Sequence, residues 1–518
     1  MKSYKAFLFL TLVACLSLAS CSGLPKGNGC GSSCGTGTTA NVSLTLVSDT
    51  LPANIGIISF KVTISSVVLT SSTGAISTLN LGGDNNGVGL IVDLARAQSD
   101  SIFLGSIPDV PTGTNSSITV HFTSAQLAFL NSTGVAITSL SPSCPANDIC
   151  VASFNTTGTP IITSSQTISG NTGIGIDFNL ANAVTMSGAT LNLNLTNSGT
   201  TNVISAFALP RANSNLAAGQ LDLIEDFTGV ATVNGTNVTI VSSPQAGRTS
   251  ITAASSTNTV YDQDPAQSSC TTGTASLSSC LPNANEAASM DAILNSDGTF
   301  TVQEIEPLLA SPIVDTAEGT VVSINQNNQT QFSIITTDII PAATGSKIAS
   351  LSLGDPLTVN LGTITSGGFL VDTKGLPVGG FTGNFQGMTT TSALHLGQTV
   401  AVHVNAFVAA NGTTAATANG VDMVTLRWSR FIATVNAAPT QEFSVTNLPG
   451  YFGFTPTSIF DVQSYAGTQG TDGITNLDGV TTTQGLTATK PVAVRALFIE
   501  DPGFTVDPPF FAAKVRQH

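Results

Sequence analysis

The chain has 518 residues, a formal net charge of -15, and only 9% charged against 41% hydrophobic side chains. That acidic balance argues against nucleic acid as a partner, which needs clustered Lys and Arg, and against electrostatic docking onto anionic lipid. The hydrophobic fraction excludes a charged disordered polymer, and the length is enough for three or four domains, whose surface Thr, Ser, Asn and Gly suit strands and turns.

In chain order, Lys2 and Lys5 precede an apolar stretch over 6–18. It covers about 13 residues, short of the roughly 20 that cross a bilayer, so it reads as a targeting signal. Leu18-Ala19-Ser20-Cys21 resembles the lipobox of bacterial lipoproteins, whose cysteine is lipidated and becomes the mature N-terminus. Leu12-Val13-Ala14-Cys15 fits the same pattern, but cleavage there would leave Leu16-Ser17-Leu18 exposed. Cys21 is therefore the expected lipidation site and Cys15 the alternative; an ordinary secretory signal is the competing reading. The resemblance implies a bilayer as partner through an acyl anchor. It also implies a place in the bacterial cell envelope, periplasmic or surface-exposed. Residues 1–20 are then the leader and 21–40 a Gly/Ser/Thr-rich tether spanning about 25 Å root-mean-square. Gly31-Ser32-Ser33-Cys34-Gly35 spells G-x-S-x-G, but a nucleophile elbow needs a strand before it and a helix after it.

Six further cysteines form close pairs, Cys30/Cys34, Cys144/Cys150 and Cys270/Cys280. Proximity and an oxidising compartment predict three local disulfides. A zinc site is the rival, but His121, His395, His403 and His518 lie far from every pair.

Residues 41–210 read as one antiparallel β-sandwich. Val42, Leu44 and Leu46 alternate with polar residues, as do Ile118, Val120 and Phe122, then Ile174, Ile176 and Phe178. Period two puts one face inward. A short helix is expected from Ile91 to Ser99, around Val92-Asp93-Leu94-Ala95-Arg96. Val92-Asp93-Leu94, Phe103-Leu104-Gly105 and Pro111-Thr112-Gly113, with Ile176-Asp177-Phe178 and Leu209-Pro210, resemble an uncharacterised domain of bacterial surface lipoproteins. That resemblance implies a carbohydrate-binding-like or prealbumin-like sandwich and brings no catalytic residues.

Residues 211–518 carry weak repeats. Gly229-Val230-Ala231-Thr232-Val233-Asn234, Gly319-Thr320-Val321-Val322-Ser323-Ile324-Asn325 and Phe431-Ile432-Ala433-Thr434-Val435-Asn436 each lead through a polar turn into a second strand. The period predicts three small OB-like or SH3-like barrels at 211–312, 313–428 and 429–518. They resemble an uncharacterised repeat of secreted bacterial proteins. A Gly-rich insertion near 363–391 is expected to add β-structure to the second.

Candidate chemistry is sparse. His121 and His403 fall on polar strand faces and read as surface histidines. Glu304 and Glu306 share a strand face and read as solvated carboxylates, since a glycosidase pair needs two across a cleft. Asp84-Asn85-Asn86-Gly87 and the loop carrying Asp472, Asn476 and Asp478 are oxygen-rich; calcium is the only cofactor they would suit, with ordinary turns as the rival. Tyr451-Phe452-Gly453-Phe454 and Trp428 are the candidate ligand contacts, the rival being a loop folded over a barrel core. The expected function is that of an anchored envelope lipoprotein with a non-enzymatic binding, adhesion or scaffolding role. A component of an envelope assembly, a glycan-binding protein and a hydrolase with an unrecognised site are the alternatives.

Overall fold

The computed structural model describes residues 38–517 except 50–51, 53–54, 83–88, 155–160, 163–165, 199–201, 243–249, 263–269, 271–275, 284, 310–313, 343, 366, 413, 439, 456, 468–472 and 500–508. The architecture is all-β. Alternation builds it, because each strand offers one apolar face and one polar face.

In the sandwich, Thr39–Asp49 lies at the centre of a four-stranded sheet, between Thr172–Asn179 and Ile102–Pro111, with Ile204–Leu209 outermost. Thr39–Asp49 and Thr172–Asn179 run parallel, Leu46 opposite Ile176, so this sheet is mixed where an antiparallel one is expected. The long strands Ile55–Ser71 and Gly113–Asn131 pair antiparallel in the facing sheet. Val42, Leu44 and Leu46 meet Phe60, Val62 and Ile64 in one shared core. The ring centroids of Phe122 and Phe178 lie 5.5 Å apart, edge to face. The predicted helix is smaller than its pattern implies: Leu90–Asp93 is a strand and only Arg96–Gln98 is helical, one 3-10 turn.

The first barrel uses Gln220–Asn234, Asn237–Val241, Ile251–Ala254, Glu286–Asn295 and Phe300–Leu309, and closes where Ala253 pairs with Phe300. The third uses Ser429–Ala437, Glu442–Thr446, Phe460–Gln463, Pro491–Phe498 and Phe510–Gln517, and closes where Val462 pairs with Phe510. In both, a short sixth strand, Val260–Tyr261 or Asn476–Asp478, runs parallel to the last strand. The second module is an eight-stranded sheet with the same central order. Its insertion adds little β-structure: Leu370–Val371 is a two-residue strand, and the 3-10 turns Gly379–Asn384 and Thr391–Ala393 follow. Repeated glycines prevent longer strands there.

Gly37–His518 is one compact unit. Apolar contacts join its modules: Phe103 of the sandwich meets Phe300 of the first barrel edge to face at 4.9 Å, and Ile58 and Ala128 join the core of the third barrel. Among the described residues, no helix is long and apolar enough to cross a membrane.

Candidate functional site: a charged interior and the cleft beside it

The few charged residues are concentrated where the modules meet. On the first barrel, Glu225 and Asp226 sit at a bulge opposite Asp291. They face basic residues of its neighbours. Asp226 Oδ2 accepts hydrogen bonds from Arg430 Nη2 at 2.6 Å, and Arg495 Nη1 of the same third barrel lies 2.9 Å away. Asp226 Oδ1 accepts from Lys374 Nζ of the second module at 3.1 Å. Glu225 accepts from Arg495 and Lys514. Between second and third modules, Arg430 Nη1 stands 3.7 Å from Glu318. All three module pairs are thus bridged by opposite charges with almost no exposure.

The sandwich caps this centre with the segment read as a family motif. Asp93 accepts from Ser59 Oγ, Phe60 N and Ala95 N, which fixes the turn. Arg96 then donates to the Asp226 carbonyl at 2.9 Å and to Asp338 at 3.3 Å. Asp100 accepts from Arg430 Nε at 2.7 Å, and Arg516 donates to the carbonyl of Asp100 and to Ser101 Oγ.

Burial opposes ionisation throughout the centre, and the neighbours decide the outcome. Asp226 is buried, but Arg495, Lys374 and Arg430 hold it well below the usual carboxylate range. Lys374 resists burial in turn and is held well above the ordinary lysine value by Asp226 and Asp291. Glu306 goes the other way. Burial, then the charge of Asp372, raises it well above the ordinary glutamate value. Neither of its oxygens accepts a hydrogen bond, and Arg427 Nη2 is 3.6 Å away. Its surroundings thus favour the neutral form of Glu306, which is 0% exposed. The reading of Glu304 and Glu306 as solvated carboxylates is therefore corrected: the polar face of their strand turns toward a neighbouring module, where Lys374 Nζ lies 3.6 Å from Glu304.

Beside this centre, between the first and third barrels, opens a cleft of about 660 Å³. Its walls come from the linker around Arg211, the loop Ser256, Thr257 and Asn258, the strand residues Thr301 and Gln303, and Asn476, Asp478 and Lys514 of the third barrel. Neutral hydrogen-bonding side chains alternate there with apolar ones such as Leu216, Leu223 and Val260. Across it, Asn215 Nδ2 donates to the Leu477 carbonyl at 3.3 Å. Asn476 Nδ2 donates to Glu225 at 3.1 Å, so one wall of the cleft is anchored in the charged centre.

The predicted ligand aromatics are elsewhere and covered. Trp428 is 1% exposed, Tyr451 7% and Phe452 3%. Tyr451 and Phe452 pack in the core of the third barrel, with Phe454 half-buried against it. Phe431 meets Phe452 edge to face at 5.4 Å. The aromatic loop folds inward, and Phe452 also packs against the rings of Phe498 and Phe510. His403 is not a surface histidine either: burial lowers it to about 4, and its Nδ1 is 3.7 Å from Asp422. Of the calcium candidates, Asp478 accepts from Arg516 Nε at 2.7 Å and Asn476 Nδ2 donates to Glu225. Asp472 and the 84–87 loop are outside the described residues, as are Cys15, Cys21, Cys30 and Cys34. Cys144–Cys150 and Cys270–Cys280 are disulfide-bonded.

The charged centre escaped the strand-by-strand reading, although a signal existed. Asp222, Glu225, Asp226, Asp291, Glu304 and Glu306 belong to the first repeat, whereas Arg430, Arg495, Lys514 and Arg516 belong to the third. In a chain so poor in charge, opposite signs on sister repeats point to mutual burial. Fold and site together define an all-β protein of small barrels and a sandwich assembled around a charged centre. Compared with known proteins, the chain matches no family model, and no curated protein is significantly similar to it.

Proposed function

We propose that this protein is an envelope lipoprotein, anchored through Cys21, that displays a non-enzymatic binding site for a hydroxyl-rich ligand of the glycan class. One observation carries the reading: the cleft of about 660 Å³ is within the size range of small-ligand sites, and neutral donors and acceptors line it together with apolar side chains. Ser, Thr, Asn and Gln side chains match sugar hydroxyls, each as donor and acceptor. The ion pairs behind the cleft hold its two walls in a fixed relation, which limits the ordering cost of binding. The anchor and tether expected from the leader would hold the protein at a membrane.

A glycan and envelope-protein binding screen of the full chain in detergent tests this reading, with and without calcium. Gln303→Trp places a large ring in the cleft from a half-buried position. Loss of glycan binding with an unchanged Tm is the expected result. Binding that survives Gln303→Trp would place the site elsewhere, and turnover of a bound glycan would make the protein a hydrolase.

A further inference from the structure

Arg211 differs from every other described arginine. Arg96, Arg427, Arg430, Arg495 and Arg516 each pair with at least one carboxylate within 4 Å. Arg211 lines the cleft, and among the described residues its side chain makes no hydrogen bond and no ion pair; its Nη2 is covered without a partner. It is nonetheless positioned. Its guanidinium carbon lies 4.3 Å from the centroid of the Phe207 ring, a cation–π contact. Phe207 in turn lies on bare backbone: a Cβ on Gly175, its cross-strand partner, would come within 2.1 Å of the ring. Gly175, Phe207 and Arg211 form a stack that fixes the guanidinium on the cleft wall.

The acids around Arg211 do not satisfy it. Asp478 is taken by Arg516. Asp222 accepts from Ser101 Oγ and from the Leu223 amide. Asp177 is raised to about 7 by burial and by Asp49. Arg516 adds repulsion to the cost of burying Arg211, and Lys514, the other cation lining the cleft, is held by Glu225. On the strand beside Lys514, the Asn476 Oδ1 acceptor is buried without a partner, on a side chain 8% exposed.

We infer that the cleft takes an acidic saccharide, a uronate whose planar carboxylate pairs with Arg211 while its hydroxyls meet the neutral side chains of the opposite wall. A guanidinium suits a planar carboxylate because its parallel N–H groups match the two oxygens. This assignment rests on the reading of the cleft as a glycan site and names the ligand's charge.

The test is titration of the full chain with oligogalacturonate and with its methyl ester, which keeps the hydroxyls and loses the charge. The acid is expected to bind at least about tenfold more tightly than the ester. Arg211→Gln should remove that preference with little change in Tm, because it loses the contact with Phe207 but no hydrogen bond or ion pair. Arg211→Lys should retain part of it. Equal binding of acid and ester would overturn the uronate assignment and leave the glycan reading intact. An acid preference that survives Arg211→Gln would overturn the role of Arg211. A sulfated chain outcompeting the uronate would overturn the carboxylate. Binding of neither chain would refute this inference, and the wider screen with Gln303→Trp would then decide the glycan reading separately.

Discussion

Asp226→Asn should loosen the whole unit and not one barrel. The substitution keeps the shape of the side chain and removes the charge on which Arg430, Arg495 and Lys374 converge. Breaking one partner of a buried ion-pair network costs about 3–5 kcal/mol, because the remaining charges stay buried without compensation. Unfolding entropy of about 2.1 cal/mol/K per residue gives roughly 1 kcal/mol/K for a unit of about 480 residues, so the Tm should fall by about 3–5 °C. Were a barrel of about 90 residues to unfold alone, the same loss would lower its own transition by roughly 15–25 °C. Scanning calorimetry separates the two: one transition shifted by a few degrees is expected. An unchanged Tm would refute a strongly coupled centre, and a large shift confined to one transition would refute assembly of the modules as one body. Arg495→Met in the Asp226→Asn background should cost less than the separate effects predict, since each change removes a partner of the other. The pH dependence has a definite sign. Asp226 is depressed in the folded state, so its stabilisation is present above the unfolded value of about 3.9 and is lost as pH falls through the folded pKa.

Asp177 should behave oppositely. Its folded pKa is raised to about 7, so it destabilises the fold increasingly as pH rises from about 4 to about 7, and Asp177→Asn should flatten the stability profile there in urea melts. A profile of unchanged slope would refute that assignment. Gly175→Val should drive Phe207 off the strand and weaken uronate binding at least tenfold through Arg211, measured by titration beside a Tm check. Non-reducing peptide mapping should recover the Cys144–Cys150 and Cys270–Cys280 linkages. Cys21→Ala should abolish acyl labelling of cells expressing the chain; labelling that persists would move the anchor to Cys15.

Much of the fold was legible because strand alternation is local. Val42, Leu44 and Leu46 each had to face one way, and all three are fully buried. The Asn295-Ser296-Asp297-Gly298 turn is equally local, with Gly298 at φ +84° where a left-handed residue is required. The parallel pairing of Thr39–Asp49 with Thr172–Asn179 was not legible, because alternation does not report strand direction.

Polar faces carried the errors. Period two separates apolar from polar, but it does not say whether the polar side meets water or another module. Glu306, His403 and Trp428 were all read as though the solvent began where the strand's own core ended. The sequence by itself determined the all-β class, the repeats, the close cysteine pairs and the scarcity of charge, since each is a property of composition or short spacing. Only the tertiary structure decided that the scarce charges face one another, that Arg211 is left over beside a cleft, and that the aromatic loop is core. Those outcomes depend on which residues far apart in the chain become neighbours, and Coulomb and burial energies are set by that distance and by the water excluded around it.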